Sequence, residues 1–546
     1  REYKEKLQES VAMIWRDFFR NSRRLDGKSD LYIYFYFHAL SLLNKKGSFC
    51  FITSNSWLDV EFGKDLQEFL LRYGHPKMII DNRAKRSFEQ ADINTVIVLL
   101  APPSEKELKD DEKEKRFVRF ITFKVPFEEV LHPVIFEEIW DDGEYKRRGN
   151  VDILEMPEYR AIKRDAYSLL VEGMEESEIG EGRYGGNKWG GRYLRAPEIF
   201  FRILEKGAGK LVKLGEIAEV KRGFTTGANE FFYLEPVGMS VKEVAELSER
   251  EPRRLVRVRN GAGWEGEIEA GWLKPVVRSL REVRGLQIRP EELRYLIFMT
   301  PDDVREAMGK GRKKLSEYLK GNFPRAFDYI QWGEKQGYQE RPTCRSREWW
   351  WDVGERQMSD VLYSYMLGER HLVPVNRIAY ADCNLFDLYS KKTPAYLLSL
   401  LMTSPLFRLL LELRGREMTG ALTVLKVQVY ELEPTLILNP SLIPPSQRAR
   451  LISAFERLAQ REVRSIFEEL GFAICRERGC QNTEHPYEFV NPKALTLEQV
   501  RRASPDRFEL DSVVFDILGL TDEERLKVYQ AVADLVKSRL TKAKSV

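Results

Sequence analysis

Apolar and polar positions alternate in blocks along the first hundred residues, and the blocks change period. Residues 30–43 (DLYIYFYFHALSLL) are apolar on almost every side, the pattern of a buried helix. Residues 47–52 (GSFCFI) form a short continuous apolar run, which predicts a central parallel strand covered on both faces. Phe62, Leu66, Phe69 and Leu70 recur at helical spacing within a predicted helix over 59–73. Residues 77–82 (KMIIDN) and 94–100 (NTVIVLL) read as two further strands, the second stopped by Pro102 and Pro103. Strand, helix, strand, strand is how an open α/β sheet ends. A doubly wound fold opens with a glycine-rich turn after its first strand, and none stands here. The expectation is a partial Rossmann-like α/β sheet whose front lies outside a chain that is itself a fragment or a split gene product.

Composition narrows the class. At 546 residues, 43% hydrophobic, the chain has material for two to four domains. It has no apolar run long enough to cross a bilayer, so no membrane partner is expected. It opens REYKEKLQES, unlike a signal peptide, which points to the cytoplasm. Five cysteines make no disulfide framework. Cys475 and Cys480, with His485 nearby, are read as ordinary reduced thiols ahead of half a zinc site, so no metal is expected. The net charge of +3 hides a dense 32% of charged residues, which leaves room for local basic patches.

The order DLYIYF, KKGSFCFITSNSWLDVEFGKDLQEFLL, IIDN, RSFEQADINTVIVLL resembles the C-terminal half of the gamma-class N6-adenine methyltransferase domain of type IIG restriction–modification enzymes. In that family an Asn-Pro-Pro-Tyr motif and a glycine-rich S-adenosylmethionine motif lie upstream. Neither occurs here: Pro102-Pro103 and Pro444-Pro445 lack the preceding Asn and the following aromatic. The resemblance implies S-adenosylmethionine as cofactor of the whole enzyme, with weak or absent binding by this chain. A base must leave the duplex to be methylated on its amino group. Phe88 matches the position that stacks on the extruded adenine; as a bare residue it equally closes the sheet's core. Asn55 follows the first strand at a carboxyl end and meets substrate or caps the next helix. Asp30 and Tyr32 match the segment beside the cofactor, while Asp30 also suits a helix cap.

Residues 104–115 (SEKELKDDEKEK) read as a solvated loop or short helix, 117–125 as a strand at an edge, and 172–191 as a Gly- and Glu-rich connector. Residues 210–234 (KLVKLGEIAEVKRGFTTGANEFFYL) resemble the opening of target-recognition domains in type IIG methyltransferases and type I specificity subunits. Arg222, Thr225, Thr226 and Asn229 there offer hydrogen bonds on a turn bracketed by Gly223 and Gly227. Later pieces, including RPTCRSREWWWDVG and the apolar helix pair at 395–415, follow in the family's order. Basic residues cluster at Arg253, Arg254 and Arg257, at Lys313 and Lys314, and at Arg345 and Arg347, as phosphate contacts require. Trp349, Trp350 and Trp351 either pack a core or touch a base. Residues 446–470 form one amphipathic helix, and 510–544 two helices joined at Gly519, with Thr521 and Glu524 as a capping box.

The chain therefore divides into a half methyltransferase domain (1–125), a connector (126–190), an α+β target-recognition domain (191–440) and a helical C-terminal region (441–546). The expected function is the double-stranded-DNA-binding recognition portion of a site-specific adenine-N6 methyltransferase, beside an upstream methylase half or a nuclease subunit. The alternative is a non-catalytic specificity subunit docked on a separate methylase chain. Neither a GxxxxGK[ST] loop nor a clear Asp…Glu-x-Lys core speaks for a helicase or nuclease.

Overall fold

The computed structural model describes residues 2–542 except 86, 89–92, 131, 141–143, 176–183, 310, 419–423, 475–486 and 488. Cys475, Cys480 and His485 thus lie outside the described residues.

Two helices open the chain, α1 (Glu2–Ile14) and α2 (Leu31–Leu42). They precede a mixed sheet built from β1 (Phe49–Ser54), β2 (His75–Asn82), β3 (Thr95–Ala101), β4 (Phe117–Phe123), β5 (Lys146–Arg148), β6 (Val151–Glu155) and β7 (Tyr159–Asp165). The strands lie in the order β1-β3-β2-β4-β7-β6-β5, and every neighbouring pair is antiparallel except β2 and β4.

Four expectations change here. First, β1 is an antiparallel edge strand. Tyr36 of α2 covers Phe51 at 5.1 Å between ring centroids and meets Thr53 at 3.2 Å, while Cys50 and Ile52 face outward. A strand of only apolar residues does not reveal which of its faces is covered, so sequence pattern alone misplaced it. Second, the helix expected over 59–73 begins only at α3 (Lys64–Arg72), after short 3-10 turns at Asn55–Leu58 and Glu61–Gly63. Gly63 makes that approach possible, since a Cβ there would stand 1.8 Å from the Trp57 carbonyl oxygen. Third, β4 is a central strand, held between β2 and β7, with all but its first residue buried. Fourth, the stretch 126–190, expected as a connector, adds β5, β6 and β7 to the same sheet, with helices at Pro133–Trp140 and Ala166–Glu175. The sheet extends through antiparallel hairpins where a half-domain ending near 125 was expected.

The later chain builds a six-stranded sheet in the order Glu265–Glu269, Leu255–Asn260, Tyr233–Pro236, Tyr295–Phe298, Leu273–Val277, Tyr380–Ala381. Helix Pro324–Lys335 packs on it through rings: Tyr329 stacks on Phe231 at 4.5 Å, and Trp350 approaches Phe231 at 4.8 Å. Trp350 and Trp351 are buried, so packing claims them. A three-stranded sheet joins Val361–Ser364, Leu385–Ser390 and Ala218–Arg222.

The expected helix pair is present as Ala395–Thr403 and Pro405–Arg414, bent by 68° and almost wholly buried. Among the described residues no single helix is long and apolar enough to cross a membrane. In the tail the helix expected over 446–470 stops at Gln460 and resumes for one turn at Ile466–Glu469. Arg461 interrupts it, pairing with Glu469 at 2.8 Å and Asp506 at 2.7 Å. Helices Pro505–Leu518 and Asp522–Lys542 meet at Gly519, and Thr521 and Glu524 exchange the two hydrogen bonds of a capping box.

Candidate functional site

Strand register sets one end of the first sheet. Ser54 lies opposite Thr95, and Asp81 lies opposite both Val96 and Thr122, so β1, β2 and β4 finish together where β3 starts. The segment between β2 and β3 leaves from this end. Its root is fixed by Asn82, whose Oδ1 accepts from Ala84 N at 3.2 Å, and by Thr95, whose hydroxyl donates to Ser87 at 2.9 Å. Phe88 stands on that segment 45% exposed, so it is not a core residue closing the sheet.

Asn55 starts the 3-10 turn after β1, and its backbone N–H donates to the Asn94 carbonyl at 2.9 Å. The cap of that turn is Ser54, whose hydroxyl accepts from Ser56 N. The helix-capping role considered for Asn55 therefore falls to its neighbour. The Asn55 side chain, half-buried, has no hydrogen-bond partner among the described residues. The Asn94 side-chain oxygen is buried without a partner. Two uncommitted amides and one exposed ring thus share a sheet end, which suits recognition of a flat, hydrogen-bonding group.

Asp30 caps α2, accepting from Leu31 N at 2.7 Å. The Tyr32 phenol is pushed upward by burial first and by the Asp30 charge second, and its hydroxyl is buried without a hydrogen-bond partner among the described residues. For a nucleoside cofactor these residues do not make a cradle. β1, β2 and β3 lead into Asn-Ser-Trp, Arg-Ala-Lys and Pro-Pro, with no glycine turn to admit a ligand against the backbone. The described residues do not by themselves fit S-adenosylmethionine.

Sequence reasoning missed what ties this end to the rest of the molecule. The Asp59 carboxylate pairs with Arg195 at 2.7 Å and accepts from Gly191 N at 2.9 Å. Burial works against the Arg195 charge, but Asp59 and then Glu417 (3.8 Å) more than offset it. No spacing in the sequence announces a contact between positions so far apart.

In the second region the expected DNA-contacting residues separate into free and spent groups. Lys313, Lys314 and Arg345 are exposed and have no partner among the described residues. Arg253 donates to Asn322 at 2.8 Å, Arg254 pairs with Glu251 at 3.3 Å and Arg257 with Glu265 at 2.7 Å. Thr226 is buried and its hydroxyl bonds Asn229, which removes it from a surface role. Thr225 is exposed, and its carbonyl receives Arg347 at 2.5 Å. Gly227 holds this turn with φ +80°, and a Cβ there would collide with Thr343 at 2.6 Å. Arg347 and Trp349 also line a cleft of about 500 Å³ with Arg305 and Asp352. Arg222 is exposed, donates to the Cys383 carbonyl at 2.7 Å and lies over the Tyr365 ring at 4.5 Å.

Both ends of this arrangement match models of restriction–modification methylases. Residues 8–88 match the family model of the Eco57I restriction-modification methylase. Residues 291–468 match that of the type II methyltransferase M.Eco57I, C-terminal domain. Among solved structures, the type IIG restriction endonuclease BpuSI overlaps 94% of this chain and 52% of its own, at 13% identity and a TM-score of 0.34. The chain spans about half the length of that enzyme. No curated protein sequence matches the chain closely enough to count as a relative.

Proposed function

We propose that this chain is the DNA-recognition portion, with part of the methylase domain, of a site-specific adenine-N6 DNA methyltransferase of the gamma class in a restriction–modification system. The observation that carries the reading is Phe88: a large apolar ring left 45% exposed on the segment leaving the sheet end, within a stretch that matches a methylase family model. An extruded base supplies a flat apolar partner for a ring exposed at this place. Asn55 and Asn94 supply hydrogen-bonding groups at the same end. The methyl donor, S-adenosylmethionine, belongs to the whole enzyme, and calorimetry on this chain is expected to show weak or no uptake.

Duplex is gripped by Arg222, Lys313, Lys314, Arg345 and Arg347, none of which has a carboxylate partner among the described residues. The test is duplex binding across a salt series. Each phosphate neutralised contributes about −0.9 to the slope of log K against log salt. A steep slope is expected; a chain that ignores duplex at low salt, or binds it without salt dependence, sinks the reading.

A further inference from the structure

One cation cluster was not legible in the sequence, because its members come from three separate segments. Residues Arg416–Glu417, Leu425–Lys426 and Met366–Leu367 form a small three-stranded sheet, with Arg416 directly opposite Lys426 and Lys426 directly opposite Met366. Residues facing each other across antiparallel strands carry their side chains on the same face, so two cations are set side by side there. Like charges in that relationship destabilise a sheet. The Lys426 ammonium lies over the Tyr365 ring at 5.2 Å, and Arg222 lies over the same ring at 4.5 Å.

Among the described residues none of Arg222, Arg416 and Lys426 has a carboxylate within 4.0 Å. The acids close by in sequence and space are committed elsewhere: Glu417 to Arg195, Glu431 to Lys188 at 2.8 Å, Asp387 to Arg356 at 3.2 Å. Arg416 donates one nitrogen to the Tyr430 hydroxyl at 3.3 Å, and its Nε is buried without any partner. Gln428 donates to the Tyr365 hydroxyl at 3.2 Å. Burial alone would raise the Tyr365 phenol, yet the nearby Lys426, the hydrogen bond from Gln428 and the charge of Arg222 bring it below its ordinary value.

We propose that Arg222, Arg416 and Lys426 form a phosphate site, and that the group it takes is a backbone phosphodiester of the bound duplex. The position favours this. Gly415, just before the Arg416 strand, accepts from Arg195, the partner of Asp59 in the turn after β1. The cluster therefore sits on the seam between the sheet end bearing Asn55 and the recognition region, where a strand passing from one to the other is held. An anion shared by Arg416 and Lys426 turns their repulsion into joint attraction, and the geometry admits hydrogen bonds from guanidinium and ammonium alike.

The inference rests on the DNA-recognition reading, and the experiment separates the two. Lys426→Gln, Arg416→Gln and Arg222→Gln are compared with wild type and with Lys45→Gln, a remote exposed control. The probe is random-sequence duplex in a chloride series. Each of the three is expected to flatten the salt slope by about 0.9, equivalent to about eightfold weaker binding at 0.1 M salt, while the control leaves both unchanged. Wild-type slopes in all three variants overturn the site and leave duplex recognition standing. A wild type that ignores duplex overturns the recognition reading and the phosphodiester assignment with it. Thermal melts with inorganic phosphate then test the anion site: a rise in Tm that Lys426→Gln abolishes retains it, and equal rises remove it. In chloride alone Lys426→Gln is expected to melt at or above the wild-type temperature, because it relieves a like-charge pair. A lower Tm would assign Lys426 to structure and overturn the proposal.

Discussion

Asp59 and Arg195 meet at 2.7 Å with each side chain 9% exposed, and this pair joins the turn after β1 to the chain that leads into the recognition region. The guanidinium also reaches the Gly415 carbonyl at 3.3 Å, and Gly191 N satisfies the second carboxylate oxygen. Removing one partner strands the other charge in a low-dielectric setting. Arg195→Ala is expected to cost about 3–5 kcal/mol of stability, the range for breaking a buried pair from one side. The double variant Asp59→Asn with Arg195→Met is expected to recover part of that loss. Denaturant unfolding of the set measures both, and a single variant as stable as wild type would show that the pair does not hold the seam.

Phe88 separates stability from recognition. Its ring is exposed, so Phe88→Ala is expected to leave the unfolding midpoint within about 0.5 kcal/mol of wild type, as surface changes do. Affinity for a duplex carrying an extrahelical adenine is expected to fall by about 1–3 kcal/mol, the worth of one base–aromatic stack. A variant that melts early and binds normally would return Phe88 to the core.

The elements that sequence placed well were those with a local cause. Asp30 reads as a helix cap and is one, and the Thr521 and Glu524 box needs only its own turn. The helix pair at Ala395–Thr403 and Pro405–Arg414 follows from apolar residues on every side with Pro405 between. Misplacements came where partners are distant. β4 looked like an edge because its neighbours β2 and β7 lie on either side of it in sequence, and β1 looked central because its first four positions, Phe49 to Ile52, are all apolar. At the candidate site, Phe88 was named through the family resemblance and Asn55 through its place after the first strand; the fold leaves the Phe88 ring exposed and gives the cap to Ser54. The cations did not sort themselves: Arg257 and Lys313 look alike in the sequence, and only the fold gives Glu265 to one and, among the described residues, no partner to the other.

That sorting has a consequence for DNA binding. Among the described residues Lys313 and Lys314, on helix Arg312–Asn322, and Arg345 have no side-chain partner, so each offers its full charge to phosphate. Substituting any of them with Ala is expected to flatten the salt slope by about 0.9 for each phosphate that is no longer neutralised. Arg257→Ala frees Glu265, which adds a negative charge near the path, and Arg257 itself must leave that partner before it touches DNA. Its variant is therefore expected to change the slope less than Lys313→Ala does. Anisotropy titrations over the same salt series read both, and the reverse ranking would place the duplex on the strand Leu255–Asn260 in preference to the helix.

The tail carries a titration whose sign runs opposite to that of most carboxylates. Burial pushes the Asp511 carboxyl up to about 7; Arg507 and the Tyr529 hydroxyl, 2.8 Å away, pull it back only partly, and Glu469 and Asp506 add to the rise. Its other oxygen is buried without a partner. Unfolded, the same group loses its proton near 3.8. The folded state therefore holds a proton that the unfolded state releases, and stability is complete below about pH 4 and declines as pH rises through about 7. Glu469 behaves in the usual direction: burial is outweighed by Arg461, Arg507 and Ser504, which hold it at about 2, so its contribution is present above about 4.5 and is lost in acid. Acid therefore removes the contribution of Glu469, while the approach to neutral pH removes that of Asp511. Asp511→Asn keeps an acceptor for Tyr529 and carries no proton to lose, so it is expected to gain stability over wild type as pH rises from 5 to about 8. Unfolding midpoints measured across that range decide it: parallel pH profiles for the two proteins would mean that Asp511 is already ionised in the fold.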